Sequence, residues 1–175
     1  MKRVLTKNDL VSEDTPWLAQ NLLGKFLIYE KNGKKIEKMI TEVEAYDGPK
    51  DRASHAHKGK TPRTEVMFYE AGHWYIYLIY GMYFMANIVT GPREFPAAIL
   101  IRGVENISGP GKVTKSFGIT KKFNGKKASF QNKLYIIDKG IKVPYKKIKK
   151  TPRIGVSYAG KYWAGKKYRF ILTSI

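Results

Sequence analysis

The sequence contains no cysteine, few acidic residues and no long run of apolar residues. Without cysteine the chain can form no disulfide, zinc finger or cysteine-held iron–sulfur cluster, which suits a reducing compartment. No stretch has the roughly 20 apolar residues of a membrane-spanning helix, and the N-terminus lacks the apolar segment of a signal peptide. We therefore expect an intracellular, cytoplasmic protein without a membrane partner, folded as one domain over residues 1–175.

The shortage of acidic residues leaves a large positive charge. The chain has 33 Lys and Arg against 14 Asp and Glu, a formal net charge of +19. Such a surface attracts a polyanion, and nucleic acid is the leading candidate because we find no amphipathic helix or lipidation signal for a membrane surface. The cations form two clusters in the sequence: Lys121, Lys122, Lys126 and Lys127 in the first, and Lys142, Lys146, Lys147, Lys149, Lys150 and Arg153 in the second. Either cluster taken alone would fit a solvated face equally well.

Turn and cap signals divide the chain into short elements. Asp14, before Thr15-Pro16, predicts the start of a helix that ends at Gly24. Asn32-Gly33 predicts a hairpin between strands 25–30 and 35–46, and Gly81-Met82 predicts a type II′ turn between strands 74–80 and 83–89. Further strands are expected at 97–102, 134–137 and 168–172, after a polar loop at 47–64. We predict an α+β fold with a curved, mainly antiparallel, barrel-like sheet, a few short helices and a protruding β-hairpin.

Two glutamates interrupt the apolar strand 35–46. Strand alternation places Ile40, Glu42, Glu44 and Tyr46 on one face, with the Cα atoms of the two glutamates about 6.6 Å apart. One interpretation is an exposed face on which both carboxylates pair with lysines. Another is a general base beside an aromatic ring. A third is an inverting glycoside hydrolase acting on an acidic glycan, because such enzymes hold two carboxyl groups roughly 6.5 to 9.5 Å apart.

Histidines and tyrosines supply the remaining candidates. Two histidines, His55 and His57, cannot close a metal site without carboxylates. A hydrogen bond from one histidine to a substrate is the more plausible functional role. From the spacing alone, a loop histidine without any role is as plausible as that hydrogen bond. Tyr80 and Tyr83 flank the predicted turn, and whichever points outward could wedge into a base stack. Tyr77 lies behind them and could stack on an extruded base.

Several blocks of sequence together resemble a known family. The stretches "EVEAYDGPKDRASHA", "TPRTEVMF", "WYIYLIYGMYFMANI" and "ILIRGVE" are similar in order and spacing to the signature blocks of the alkyladenine (3-methyladenine) DNA glycosylases. Weaker agreement continues in "SGPGKV" and "TPRIGVSYAGKYW". The resemblance implies a DNA N-glycosylase without metal or other cofactor, acting as a monomer on double-stranded DNA that contains damaged purines. The segment between Arg102 and Ser108 is shorter than in most members, which carry a helical insertion there.

The resemblance also implies roles in catalysis and in DNA distortion. Glu44 matches the residue that activates the water, Arg102 matches the arginine that positions this water, and Glu42 would support them. Tyr80 matches the side chain that intercalates where the base has left, and Met82 would press on the neighbouring base pair. A noncatalytic nucleic-acid-binding domain is the alternative, and it gives Glu44 no role.

Four further residues match the pocket for the flipped base. The resemblance implies that Tyr46 and Tyr77 stack on the base and that His55 donates a hydrogen bond to it. Asn87 matches the residue that crowds the exocyclic amine of normal guanine. A buried asparagine is also often only a satisfied polar group, and this alternative stays open.

Overall fold

The computed structural model describes residues 2–173, and ten antiparallel strands form its sheet. Their order is β1-β8-β2-β3-β6-β5-β4, with β10 pairing with β3 and β9, and β7 pairing with β6. The predicted curved antiparallel sheet is confirmed. The strands are β1 (Arg3–Val4), β2 (Phe26–Lys31), β3 (Lys34–Tyr46), β4 (Trp74–Ile79), β5 (Tyr83–Val89), β6 (Ala98–Val104), β7 (Ile107–Ser108), β8 (Leu134–Asp138), β9 (Ile148–Thr151) and β10 (Arg169–Leu172).

Short helices accompany the sheet. Asp14 caps α2 by accepting a hydrogen bond from the Trp17 amide at 2.9 Å, and Gly24 follows its end with a φ of 80°, so both predicted boundaries are confirmed. The α-helices are α1 (Lys7–Leu10), α2 (Thr15–Leu22), α3 (Pro110–Phe117) and α4 (Gly160–Gly165), and 3₁₀ turns lie at His55–Lys58, Glu65–Phe68, Lys121–Phe123, Tyr145–Lys147 and Ser157–Ala159. None of the helices within residues 2–173 is long and apolar enough to cross a membrane.

The main core lies between the sheet and helices α2 and α3. Leu22 and Phe117 on these helices pack with Trp74, Val43 and other apolar residues of the strands. The indole N–H of Trp74 donates to the Leu134 carbonyl at 3.0 Å, which satisfies its polar atom inside the core. Each large apolar side chain stabilises the fold by roughly 1.5–3 kcal/mol when fully buried.

Strand β3 connects the part of the sheet formed by β1, β8 and β2 with the part formed by β6, β5 and β4. Its first half pairs with β2, and its second half pairs with β6 on one side and β10 on the other. The register shifts between Ile40 and Val43, so the simple alternation of side chains fails there. Ile40 is consequently in the main core with Val43, and its predicted place on the glutamate face is wrong. Glu42, Glu44 and Tyr46 do share a face beyond this bulge.

Both predicted hairpins form, but one turn differs from the expectation. Asn32 and Gly33 have φ of 50° and 72°, as a type I′ turn requires. In the β4–β5 hairpin three residues, Tyr80 to Met82, connect the strands, and the Met82 amide donates to the Ile79 carbonyl at 3.1 Å. The predicted type II′ turn beginning at Gly81 is wrong, because Tyr80 also has a positive φ, 50°. This conformation costs a non-glycine residue about 1–2 kcal/mol.

Candidate active site

A pocket of about 320 Å³ opens beside the β4–β5 hairpin. Residues of β3, β4, β5 and β6 form half of its wall, and the chain segment 154–158 closes another side. Most of the lining is aromatic or apolar. The lining residues are Tyr46, His55, Met67, Tyr75, Tyr77, Ile79, Tyr80, Met85, Asn87, Leu100, Arg102, Pro110, Ile154, Gly155, Val156 and Tyr158.

Glu44 lies directly behind this wall with none of its surface exposed. Its Oε1 accepts a hydrogen bond from the Ile154 amide at 2.8 Å, and its Oε2 accepts one from the Tyr46 hydroxyl at 2.9 Å. The Nε of Arg102 lies 3.5 Å from Oε1. Burial raises the pKa of Glu44 more than these three partners lower it. The carboxylate is therefore a stronger base than an exposed glutamate, held in a fixed orientation.

Glu42 and Glu44 belong to one chain of alternating charges. Glu42 Oε1 accepts a hydrogen bond from Arg102 Nε at 3.0 Å and another from Arg169 Nε at 2.7 Å. The carboxylates are thus buried against arginines, and the expectation of an exposed face paired with lysines is wrong. The pair also fits a glycoside hydrolase poorly, because two guanidinium groups hold the Glu42 carboxylate.

A second buried ion pair fixes the segment that closes the pocket. Arg153 donates to both carboxylate oxygens of Asp51 and to the Ala45 carbonyl, and the pair has no exposed side-chain surface. Arg153 was assigned by sequence to an exposed basic cluster, and this assignment is wrong because the side chain points inward from the end of β9. The next residue, Ile154, supplies the amide that binds Glu44.

Aromatic rings surround the space in front of Glu44. His55 and Tyr77 meet edge to face with ring centroids 4.6 Å apart, and His55 Nδ1 lies 3.3 Å from the Tyr75 hydroxyl. Burial raises the pKa of Tyr75 to about 12, so this hydroxyl stays protonated and can donate to Nδ1. Burial lowers the pKa of His55, which favours the neutral ring. When the Tyr75 hydroxyl donates to Nδ1, the ring proton lies on Nε2. His55 can then donate one hydrogen bond from Nε2.

Asn87 lies in the pocket wall and is 2% exposed. Its side-chain Nδ2 donates to the carbonyls of Tyr75 and Met85 at 3.1 and 3.4 Å. The amide group therefore has the bonds of an ordinary satisfied asparagine, and the same bonds hold it rigidly at the pocket. Both interpretations of Asn87 are compatible with this placement.

The tip of the hairpin, residues Tyr80, Gly81 and Met82, is the most exposed apolar feature near the pocket. Tyr80 is 86% exposed and Met82 is 65% exposed. Tyr83 instead packs on α3, since a Cβ on Gly111 would lie 2.9 Å from its ring. Tyr80 is thus the tyrosine that points outward, and it also lines the pocket edge. Among the described residues no group of three or more His, Cys, Asp or Glu could hold a metal ion.

The structure brings together all of the pocket residues that the sequence singled out, but it adds others. Asp51, Arg169 and Ile154 contact the glutamate network or its supports, and sequence reasoning assigned none of them a role. Their contacts span more than 100 positions of chain, so no local pattern connects them. The block "TPRIGVSYAGKYW" was the one signal that pointed to the segment containing Ile154.

Comparison with known proteins shows the family to which the chain belongs. The methylpurine-DNA glycosylase family model matches residues 9–108 and 105–174. A protein of Rickettsia felis is 40% identical over 99% of this chain and 96% of its own length. One of Bdellovibrio bacteriovorus is 42% identical over 85% of both chains, and one of Anaeromyxobacter dehalogenans is 40% identical over 92% of this chain and 80% of its own. All three are provisionally named 3-methyladenine DNA glycosylase.

The family match and these relatives identify the chain as a DNA N-glycosylase, a hydrolase of base-excision repair, and its strongly basic composition agrees with this class. The chain belongs to the methylpurine-DNA glycosylase family.

Proposed function

We propose that this enzyme flips alkylated or deaminated purines out of duplex DNA and hydrolyses the N-glycosidic bond with a water activated by Glu44. The observation that carries the proposal is the position of the Glu44 carboxylate, which is buried and contacts Tyr46 and Arg102, two residues that line the aromatic pocket. Stacking on rings such as Tyr46 and Tyr77 contributes roughly 1–3 kcal/mol per base, which offsets part of the cost of extrusion.

In the chemical step Glu44 accepts a proton from water while the water oxygen bonds to C1′ of the deoxyribose. The bond between C1′ and the purine nitrogen breaks, and its electron pair leaves with the base. A cationic alkylated purine departs as a neutral molecule, whereas hypoxanthine requires a proton as it leaves. The negative charge of Glu44 also stabilises the positive charge that develops on the sugar, and Arg102 holds the carboxylate and the water in place.

The hairpin tip acts on the duplex while the pocket acts on the base. Tyr80 inserts into the gap that the flipped nucleotide leaves, and Met82 presses on the adjacent base pair. The net charge of +19 supplies salt-dependent affinity for phosphates and allows sliding along DNA. His55 donates a hydrogen bond to the base, and Asn87 excludes the exocyclic amine of guanine.

The reaction ends at an abasic site without cleavage of the strand. A lyase step needs an amine nucleophile to form a Schiff base, and no lysine is among the described residues that line the pocket. We also propose that the enzyme works as a monomer on double-stranded DNA in the cytoplasm, since one chain supplies every part of the pocket described above.

An excision assay tests the proposal. An end-labelled duplex with one hypoxanthine or 1,N6-ethenoadenine is incubated with the protein and then treated or not treated with alkali. We expect cleavage at the lesion only after alkali, because the abasic site is alkali-labile and the protein does not cut the strand. Cleavage without alkali would contradict the monofunctional mechanism. Binding without any cleavage would favour a noncatalytic DNA-binding domain.

A further inference from the structure

Arg63 is a charged residue beside the pocket to which neither the sequence resemblance nor the proposed mechanism assigns a role. It belongs to the "TPRTEV" stretch between the polar loop and the 3₁₀ turn at Glu65–Phe68. Its guanidinium carbon lies 5.5 Å from the centroid of the Tyr77 ring, within the range of a cation–π contact. Tyr77 lines the pocket, and Arg63 also interacts with the hydroxyl of Tyr75, a second residue of the pocket wall.

Arg63 differs from the other arginines near the pocket in having no acidic partner. Arg102 and Arg169 bind Glu42, and Arg153 binds Asp51, so their charges are compensated. Within residues 2–173, no carboxylate forms a salt bridge with Arg63. Its charge is therefore uncompensated, and it lies against an aromatic ring that faces the substrate space.

The field of Arg63 reaches other groups of the pocket. The positive charge contributes to the lowered pKa of His55, after the larger effect of burial. The same charge lowers the pKa of Tyr75, against the larger raising effect of burial. Three side chains of the pocket wall, His55, Tyr75 and Tyr77, thus lie within its influence, although the guanidinium itself is on the exposed surface.

A cation in contact with the Tyr77 ring affects what else can stack on that ring. The face of a tyrosine ring attracts a positive charge, but a guanidinium already in contact with the ring draws electron density toward itself and repels a second cation at the same ring. A neutral purine experiences little of this repulsion. We propose that Arg63 is a specificity-determining residue that biases the pocket toward neutral purine lesions and against cationic alkylated ones. This inference rests on the proposed glycosylase function.

The test compares one cationic and one neutral lesion in the same duplex sequence. Single-turnover excision rates at saturating enzyme are measured for 7-methylguanine and for hypoxanthine, with wild type, Arg63→Gln, Arg63→Met and Arg63→Lys. Arg52→Gln is the matched control, because it removes one exposed positive charge from the loop that precedes Arg63. We expect the ratio of the 7-methylguanine rate to the hypoxanthine rate to rise about three- to tenfold in the Gln and Met variants, the range of a cation–π contact.

The control variants separate charge from other effects. In Arg63→Lys and Arg52→Gln the ratio should stay near that of wild type. An unchanged ratio in Arg63→Gln, or equal losses on both lesions with a shallower salt dependence, would overturn the proposal and make Arg63 a phosphate contact. Failure of the wild-type protein to excise either lesion would instead refute the proposed function, so the two failures are distinguishable.

Discussion

Two regions differ in burial and in charge: the floor of the pocket, by which we mean Glu44 and the charged groups that hold it, and the tip of the hairpin, residues Tyr80 to Met82. At the floor Glu44 is fully buried, and each charged group in the chain from Arg169 to Glu44 has a neighbour of opposite sign. At the tip Tyr80 and Met82 are exposed, and Tyr80 adopts a positive φ. The two regions therefore suit different tasks. Burial makes the Glu44 carboxylate more basic and holds it rigidly, whereas the tip leaves apolar surface available for contact with another molecule.

The largest effect is expected from breaking the support of the floor. Asp51→Ala leaves Arg153 buried without its carboxylate, which should lower the free energy of unfolding by about 3–5 kcal/mol. Urea unfolding of the variant measures this loss. Glu94→Ala is the control, because it removes an exposed ion pair with Lys60 that is worth at most about 1 kcal/mol. Equal losses in both variants would show that the Arg153–Asp51 pair contributes no more than a surface contact.

The next largest effect concerns the base itself. Glu44→Gln keeps the shape of the side chain but cannot accept the proton of water, so excision should fall at least about a hundredfold while lesion DNA still binds. Single-turnover assays and fluorescence anisotropy measure the two properties. Glu65→Gln, on an exposed residue, is the control. Glu42→Gln should be milder, and a greater loss there would exchange the roles of the two glutamates.

Changing the tip should affect binding more than chemistry. Tyr80→Ser should weaken binding to a lesion duplex about tenfold, as expected for the loss of one stacking contact, and should weaken binding to the same lesion in single-stranded DNA less. The reason is that only the duplex has a gap to fill after flipping. Tyr145→Ser removes another exposed tyrosine and serves as the control. An equal loss on both substrates would make Tyr80 a structural residue.

A substitution at Asn87 should have a smaller effect than the change at Tyr80, and the effect should be on specificity. Asn87→Ser shortens the side chain, so guanine release from a G:T mismatch should rise several-fold while hypoxanthine excision changes less. Rates are compared at equal folded fraction, because the substitution also removes the bonds to Tyr75 and Met85. A folded variant that is active on hypoxanthine and releases no more guanine would leave Asn87 an ordinary structural asparagine.

The smallest expected change is in pH dependence. Glu44 must be ionised to act as a base, and its pKa is raised by burial, so single-turnover excision should decline with falling pH at a value above 4.5, the ordinary pKa of a glutamate. Arg102 lowers this pKa. Arg102→Gln should therefore move the acid limb to higher pH, in addition to any loss of rate. A limb that stays in place would remove Glu44 as the titrating group.

Local signals were sufficient to predict much of the fold. The Asp14 cap, the Asn32-Gly33 turn and most strands are determined by residues within a few positions of one another, and these predictions are confirmed. The bulge near Ile40 was missed because it depends on pairing with β6, about 60 residues away. The turn at Tyr80 was misjudged because a tyrosine in the left-handed region contradicts local preference.

The candidate site was predicted less evenly. Each pocket residue carried over from the resemblance lies at or directly behind the pocket wall or at the hairpin tip, but their supports were not foreseen. Arg153 resembled a member of a basic surface cluster because its neighbours in sequence are lysines. Only the folded chain places it beneath Tyr46, where it pairs with Asp51 and positions the Ile154 amide.

The most direct test of whether Glu44 serves the chemical step and Tyr80 serves binding is the single-turnover excision of hypoxanthine from one duplex at increasing enzyme concentration. The dependence gives a maximal rate and a half-saturating concentration for wild type, Glu44→Gln and Tyr80→Ser. We predict that Glu44→Gln loses at least about a hundredfold in the maximal rate with little change in half-saturation. Tyr80→Ser should mainly raise the half-saturating concentration. A Glu44→Gln enzyme with the maximal rate of wild type would contradict the account.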